Sequence, residues 1–437
     1  MTSATSTPAG GRAADLTFAR RCAQRGEHCS LVGVNNMGKT AVLRSLAGAA
    51  PGVLTVYVDC NRVLEWTEVG FYELLVRAIL DTLPPDAACR PQAQHAHQVL
   101  VAPTTLLEDA YAFVAALREI IDCEGRVVLL LDEFDDLLRR LDARVFLNLR
   151  GLADQYGNAL TYITATSHRL PLLRADVEPF YELFNYRTRY LSPLSTDEAE
   201  AYIREFGDEL GVTFDELDLG FIRGMADGHP GLLRAVANLM ADLMDQGVTS
   251  TADRHRQALA ALAHDPNIQG ECTAMWNELF DNERDVLAAV VAGQEPAEPA
   301  LSYVRAKHLL HPTDRGFQLL CPIFTDFVAR ERRIQPGDKG GLRVDMQRGD
   351  VYINGRVLPP LTDLEYKLLA LLNQRQGEIV DKYQIVEKVW GEAYLDQVDD
   401  DRIERLVARV REKIEPDPRQ PRFLTTVRGR GYRLKAE

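Results

Sequence analysis

No stretch of this 437-residue sequence approaches the roughly 20 consecutive apolar residues that a membrane-spanning helix requires. A membrane span is therefore not expected. The N-terminal "MTSATSTPAGGRAAD" has no apolar core of the kind a secretory signal carries, so it reads as a disordered tail. The seven cysteines (22, 29, 60, 89, 123, 272 and 321) lie far apart and form no C-x-x-C pair. An odd, scattered set in a long chain fits buried thiols in a reducing cytoplasm. Basic residues are also in deficit, with 50 Lys/Arg against 64 Asp/Glu and a net charge of −14. Taken over the whole chain, that balance argues against a nucleic-acid binder.

The distribution of charge reverses the last inference. From Arg402 to the end there are 11 basic and 5 acidic residues, a small basic segment on an acidic body. Local potential rather than net charge governs binding to a polyanion. The hydrophobic content of 46% and charged content of 26% are ordinary for a globular protein. A chain this long suggests about two to four domains rather than one core.

Near the N-terminus, "GVNNMGKT" follows G-x-x-x-x-G-K-T, with Gly33, Gly38, Lys39 and Thr40 in the required places. Its context is strand, loop, helix: "HCSLVGV" is a short apolar run before it, and "AVLRSLAG" after it has helical spacing and stops at Gly48. The expected nucleotide-binding set is Gly33, Asn35, Asn36, Met37, Gly38, Lys39, Thr40 and Ala41. Loop N–H groups and the helix N-terminus would surround a β-phosphate. Lys39 would reach the β- and γ-phosphates, and Thr40 would ligate Mg2+.

"RVVLLLDEFDDLL" supplies a partner, five apolar residues followed by Asp132 and Glu133. A continuous apolar run suits a central parallel strand covered on both faces. Acidic residues at its C-terminal end stand where ligands bind in an open α/β sheet. Asp132 is expected to hold Mg2+ through water, and Glu133 to orient or deprotonate an attacking water. Asp135 and Asp136 read as solvated charges at a helix start. "LTVYVDC", "ALTYITATS" and "YRTRYLSPLS" offer further strands, the second ending in the candidate γ-phosphate sensors Thr166, Ser167 and Arg169.

From Leu191 the pattern turns helical, and "GHPGLLRAVANLM" sets Gly-His-Pro-Gly before an amphipathic helix. Order and residues over roughly 15–265 resemble the signal-transduction ATPases with numerous domains (STAND), a branch of the AAA+-like P-loop proteins. The resemblance implies ATP or ADP with Mg2+, and a helical lid whose Gly-x-Pro segment, matched by Gly228-His229-Pro230, places Pro230 beside adenine. The family's Gly-Arg-Glu segment upstream of the loop has no match; "GGRAADLTFARR" stands there instead. Residues 270–333 resemble the small winged-helix module that follows such ATPases, without a basic cluster.

In the last 96 residues, "LTDLEYKLLALLNQRQGEIVDKYQIVEKVWG" and "DRIERLVARVREKIEPDPRQPRFLTTVRGRGYRL" resemble the winged-helix effector domain of OmpR/PhoB-type response regulators. The residues agree independently. "GLRVDMQRGDVYINGRVLP" alternates like antiparallel strands, with Asn354-Gly355 as a tight turn. "RIERLVARVREKI" spaces Arg402, Arg405, Arg409 and Lys413 along one face, opposite Ile403, Leu406, Val407, Val410 and Ile414. A helix with arginines along its outer side suits a major groove. The resemblance makes Arg409 the leading base contact, with Arg405 and Arg402 beside it. Thr426, Arg428 and Arg430 would act from the wing, and Lys382 and Trp390 on phosphates.

The expected fold class is an α/β P-loop NTPase, a parallel sheet with helices on both faces. A helical lid, a small winged-helix module and a C-terminal α+β winged helix-turn-helix domain complete it. Expected boundaries are 1–14 tail, 15–190 ATPase core, 191–265 lid, 266–333 winged-helix-like module, 334–341 linker and 342–437 DNA-binding domain. The expected function is an ATP-dependent transcriptional regulator with slow hydrolysis, in which an ATPase takes the place of the usual receiver. The alternative is an ATP-driven DNA machine, initiator-like or remodelling, that uses the winged helix as an anchor. Expected partners are double-stranded DNA, a second copy of the chain on nucleotide or DNA binding, and an inducer or protein partner of unknown identity.

Overall fold

Five segments of the N-terminal half join in one parallel sheet: β1 (Cys29–Val32), β2 (Leu54–Asp59), β3 (Val127–Asp132), β4 (Leu160–Thr166) and β5 (Thr188–Tyr190). Their order in this computed structural model is β2-β3-β4-β1-β5, so β4 lies between the loop strand and the acidic strand. The residues described are 12–48, 52–102, 106–314, 316–334, 342–345, 350–353, 356–357, 361–375, 377–391, 400–415, 421–427 and 430–435.

Every residue of β1, β3 and β4 is buried, as strands covered on both faces must be. Alternation divides β3 between two cores. Val128 and Leu130 pack with Leu31, Leu43 and Ile163, whereas Val127, Leu129 and Leu131 pack with Phe71, Phe113 and Tyr162. Each such side chain contributes roughly 1.5–3 kcal/mol by leaving water, which is why the run tolerates no polar alternation.

The first core also takes in the helix Ala13–Arg25, the loop helix Lys39–Leu46 and the helices that follow the sheet. Helix Ala13–Arg25 starts directly after the buried Arg12, so residues 12–14 of the stretch expected to be a tail belong to the folded part. The second core is built largely from Glu68–Thr82, Arg90–Val101, Leu106–Glu124 and Ala143–Tyr156. Beyond β5, helix Thr196–Leu210 starts with Ser195 and Glu198 in a reciprocal cap, followed by Glu216–Ala226, Pro230–Asp245, Thr251–Ala261 and Pro266–Glu278. Helices Asp281–Val291 and Ala300–Ala306, the hairpin β6 (Leu310–Thr313) and β7 (Gly316–Leu319), and helix Pro322–Ile334 then complete the series.

The chain separates into two compact units, Met1–Ala329 and Arg330–Glu437. The second has an antiparallel sheet of β8 (Leu342–Asp345), β9 (Asp350–Ile353) and β10 (Arg356–Val357). Helices Asp363–Gln374, Lys382–Val389 and Asp400–Ile414 follow, then the hairpin β11 (Leu424–Val427) and β12 (Gly431–Leu434). Ile403, Leu406, Val407, Val410 and Ile414, the predicted inner face, are buried with Leu368, Leu372, Ile385 and Leu434. The expected turn Asn354-Gly355, residues 1–11 of the expected tail and residues 335–341 of the expected linker lie outside the described residues. Among the described residues, no helix is long and apolar enough to cross a membrane.

Candidate nucleotide site and candidate nucleic-acid interface

β1 delivers the chain to the loop at Gly33, whose N–H donates to Thr166 O at 3.1 Å. The loop closes on itself through Met37 N to Val34 O at 3.2 Å. Gly38 then precedes the helix with φ 100°, a left-handed conformation that favours glycine. A Cβ there would also lie 3.0 Å from Arg12 Nε. Lys39 is buried, and its Nζ donates to the carbonyls of Gly33 at 2.8 Å and Val34 at 3.3 Å.

Outside the loop lies a cavity of about 450 Å³, walled by Asn35, Asn36, Gly38, Lys39, Thr40, Ala41, Glu133 and Pro230 among others. Two expected members of this set stand back from it. Met37 is fully buried in the first core, and Gly33 lies at the end of β1.

Parallel pairing brings Asp59 beside Asp132 at the C-terminal edge of the sheet. Asp132 is buried and oriented from two sides: Tyr57 Oη donates to Oδ2 at 2.7 Å, and Glu133 N to Oδ1 at 3.1 Å. Burial, with the charge of Asp132, pushes the Tyr57 phenol well above its ordinary pKa, so it stays a donor. Glu133 has φ 51° and is half-buried on the cavity wall. Burial raises its pKa, while Lys39 pulls the other way.

Two of the three expected sensors are engaged within the protein. Thr166 Oγ1 donates to His168 O at 2.7 Å, and Ser167 Oγ donates to Asp135 Oδ1 at 2.5 Å. Asp135 also accepts from Ser167 N at 3.1 Å, which corrects its expected role as a solvated charge. Asp136 does face water, pairing with Arg139 and Arg140. Arg169 is exposed at the start of the short helix Leu170–Leu173, away from the cavity wall. Beyond Ser167 a buried cluster continues: His168 Nε2 lies 2.9 Å from Glu283 Oε2, and Lys307 Nζ lies 2.7 Å from Glu283 Oε1.

On the lid side, Pro230 reaches the cavity while His229 faces the loop. His229 Nδ1 accepts from Leu232 N at 3.2 Å, which leaves Nε2 to donate to Asn35 O at 3.0 Å. Burial pushes its pKa down to about 4, consistent with a neutral ring.

Three residues unremarked in the sequence complete the surroundings. Arg12 is buried, donates to Met37 O and Ser192 O, and pairs with Asp15 at 3.3 Å. It comes from "GGRAADLTFARR", where no Gly-Arg-Glu was found. Glu278 accepts from Asn35 N at 2.6 Å, and Glu271 from Asn36 Nδ2 at 2.9 Å on both oxygens.

In the second unit, Arg402, Arg405 and Arg409 project from the exposed face of helix Asp400–Ile414. Arg409 Nε lies 3.7 Å from Glu365 Oε1, and Lys413 Nζ donates to Glu365 Oε2 at 2.8 Å. Lys382 pairs with Asp400 at 2.7 Å and Glu404 at 3.6 Å. The Lys382 pairs are exposed on both sides and worth about 0–1 kcal/mol, so they yield readily to a polyanion, whereas the Glu365 carboxylate is buried. Trp390 packs partly buried against the core at the end of helix Lys382–Val389.

Arg411, missed in the sequence, ties this helix to the hairpin by donating to Leu424 O at 2.9 Å and Thr426 Oγ1 at 2.8 Å. Arg430 is exposed at the hairpin's tip; Arg428 lies outside the described residues.

Comparison with known proteins divides at the same place. Residues 357–434 match the family profile described as "Transcriptional regulatory protein, C terminal". The chain is 38% identical over 100 residues to the sensory transduction protein RegX3 of Mycobacterium leprae, covering 23% of this chain and 48% of that protein. It is 43% identical over 75 residues to the DNA-binding dual master transcriptional regulator RpaA of a Synechocystis species, covering 17% and 30%. The chain thus spans about half or less of the length of these relatives. A Walker-type ATPase of Pyrococcus abyssi superposes with a TM-score of 0.50 at 16% identity, covering 73% of this chain and 96% of that one. At that identity the likeness concerns the fold alone. The architecture is that of a P-loop NTPase sheet followed by an OmpR/PhoB-type winged helix.

Proposed function

We propose that this chain is an ATP-dependent transcriptional regulator, a STAND-type nucleotide switch that controls sequence-specific binding of double-stranded DNA by its C-terminal winged helix. One observation carries the reading. A cavity walled by Lys39, Thr40 and Glu133, with Asp132 behind it, occurs in the same polypeptide as a match to a transcriptional regulatory domain. The donor set fits a nucleotide with Mg2+: a glycine-turned loop at a helix N-terminus, a hydroxyl, and a buried carboxylate held in place by Tyr57. Asn35, Asn36, Gly38 and Ala41 would line the phosphates, Lys39 would meet the β- and γ-groups, and Thr40 and Asp132 would hold the ion. Pro230 would border the base. The nucleotide supplies the phosphoanhydride, and Glu133 would position water for slow hydrolysis that resets the switch.

On the DNA side, Arg402, Arg405 and Arg409 would face the major groove, with Lys382 and Trp390 on the backbone and Thr426, Arg428 and Arg430 on the wing. Assembly of copies on tandem half-sites would raise affinity through effective concentration. An inducer would bias the nucleotide state, and the protein would work in the cytoplasm.

The test is to sequence the DNA retained by the full-length protein with ATP, with ADP and with neither. A defined set of sites enriched in one nucleotide state, and trapped in that state by Glu133→Gln, is expected. Equal retention of the same DNA in all three conditions, by wild type and variant alike, overturns the proposal.

A further inference from the structure

The helix Pro266–Glu278 sets two carboxylates against the phosphate loop from outside the sheet. Glu271 holds the side chain of Asn36, which fixes the shape of the loop. Glu278 does more, because it accepts directly from the backbone N–H of Asn35 at 2.6 Å. Loop amides of this kind recognise an anion by its acceptor oxygens, and a carboxylate offers the same chemistry as a phosphate oxygen. The charged groups that act on the Glu278 carboxyl are Lys39, Asp135 and Glu133. Lys39 is the side chain that meets β- and γ-phosphates, and Glu133 belongs to the water-positioning end of the acidic strand.

We infer that Glu278 stands in for the γ-phosphate and sets nucleotide specificity: the conformation described here admits a diphosphate and refuses a triphosphate until Glu278 withdraws. The inference rests on the reading of this cavity as an ATP site. Two anions cannot share the Asn35 amide, and a γ-phosphate brought beside an ionised Glu278 meets like charge in a partly desolvated site. The carboxyl is held there at a cost. Burial raises its pKa to about 7, with Asp135 and Glu133 adding to the rise and Lys39 and the Asn35 amide opposing it.

Withdrawal would be felt beyond the loop. Two residues on, the Phe280 ring lies tilted against His168 with ring centroids 3.9 Å apart, and Glu283 then bonds His168 and Lys307. The segment that plugs the loop is thus continuous with the one that seats helix Asp281–Val291 and Lys307 against the end of β4. Moving Glu278 would therefore act on that seat.

The experiment titrates full-length wild type, Glu278→Gln, Glu278→Ala and Lys39→Ala with fluorescent ADP and with a fluorescent non-hydrolysable ATP analogue, thermal unfolding being recorded for each. Glu278→Gln keeps the side chain's size and an acceptor for Asn35 N, so it decides the matter if the alanine variant fails to fold. Wild type is expected to prefer ADP. Both Glu278 variants are expected to bind the triphosphate roughly tenfold more tightly or better, with ADP affinity changed by less than about threefold. Lys39→Ala is expected to lose both ligands. An unchanged triphosphate-to-diphosphate ratio in a folded Glu278→Gln overturns the role given to Glu278 while leaving the nucleotide site intact. Failure of wild type and of both Glu278 variants to bind either ligand overturns the nucleotide site itself, and this inference with it.

Discussion

Glu283 shows how far a single buried carboxylate can be moved by its partners. Burial alone would raise its pKa, but the hydrogen bond with His168 and the charge of Lys307 more than offset that and hold it at about 2. An unfolded glutamate titrates near ~4.3, so the ionised form stabilises the fold fully above that pH. The contribution fades as pH falls from there through 2. Lys307, itself buried, would lose its hydrogen-bonded counter-charge in Glu283→Gln. Breaking a buried pair from one side costs about 3–5 kcal/mol. Urea unfolding of the full chain at pH 7 should show that loss in the transition of the N-terminal unit. Repeated between pH 5 and pH 3, the variant should lose less stability on acidification than wild type. A variant as stable as wild type at pH 7, with the same acid sensitivity, would remove the pair from the account.

Among the elements, the hairpin of β11 and β12 depends on one residue that no substitution can mimic. Gly431 has φ 127°, and a Cβ on it would lie 2.2 Å from Val380 O. That carbonyl is fixed by the reciprocal bonds Val380 N to Tyr432 O at 2.8 Å and Tyr432 N to Val380 O at 2.9 Å. Gly431→Ala should therefore destabilise the C-terminal unit by about 2 kcal/mol or more, through backbone strain and loss of this bridge. Amide hydrogen exchange should report it first at Val380 and Tyr432, and unchanged protection there would contradict the argument.

Elements of this kind were legible because their signals are local: apolar runs for β1, β3 and β4, and a 3.6-residue repeat for Asp400–Ile414. The three α-helices described between β2 and β3 have no such signal, since 61–125 carries no motif to anchor a reading. The site was half legible for the same reason. Lys39, Thr40, Asp132 and Glu133 stand in short patterns, whereas the bond from Asn35 to Glu278 joins residues 243 positions apart and leaves no trace in either neighbourhood. Arg12 escaped because a lone arginine in a Gly- and Ala-rich stretch looks like solvated tail, and only the folded loop reveals the carbonyls it meets.

For the whole molecule, the proposed joining of a nucleotide switch to a DNA reader has a consequence that is thermodynamic before it is structural. If one nucleotide state grips target DNA more tightly than the other by some factor, target DNA must shift the relative affinity for those two nucleotides by the same factor. Coupling of this kind in other proteins is about 5–150-fold. The expected outcome is that affinities for a fluorescent target duplex with ATP analogue and with ADP give one ratio. Affinities for the two nucleotides, measured with and without a saturating unlabelled duplex, should return the same ratio. Lys39→Ala should bring the first ratio to one without changing DNA binding in the absence of nucleotide. Two ratios both equal to one in wild type would mean that the units share a chain and nothing else, and the regulatory reading would fail there.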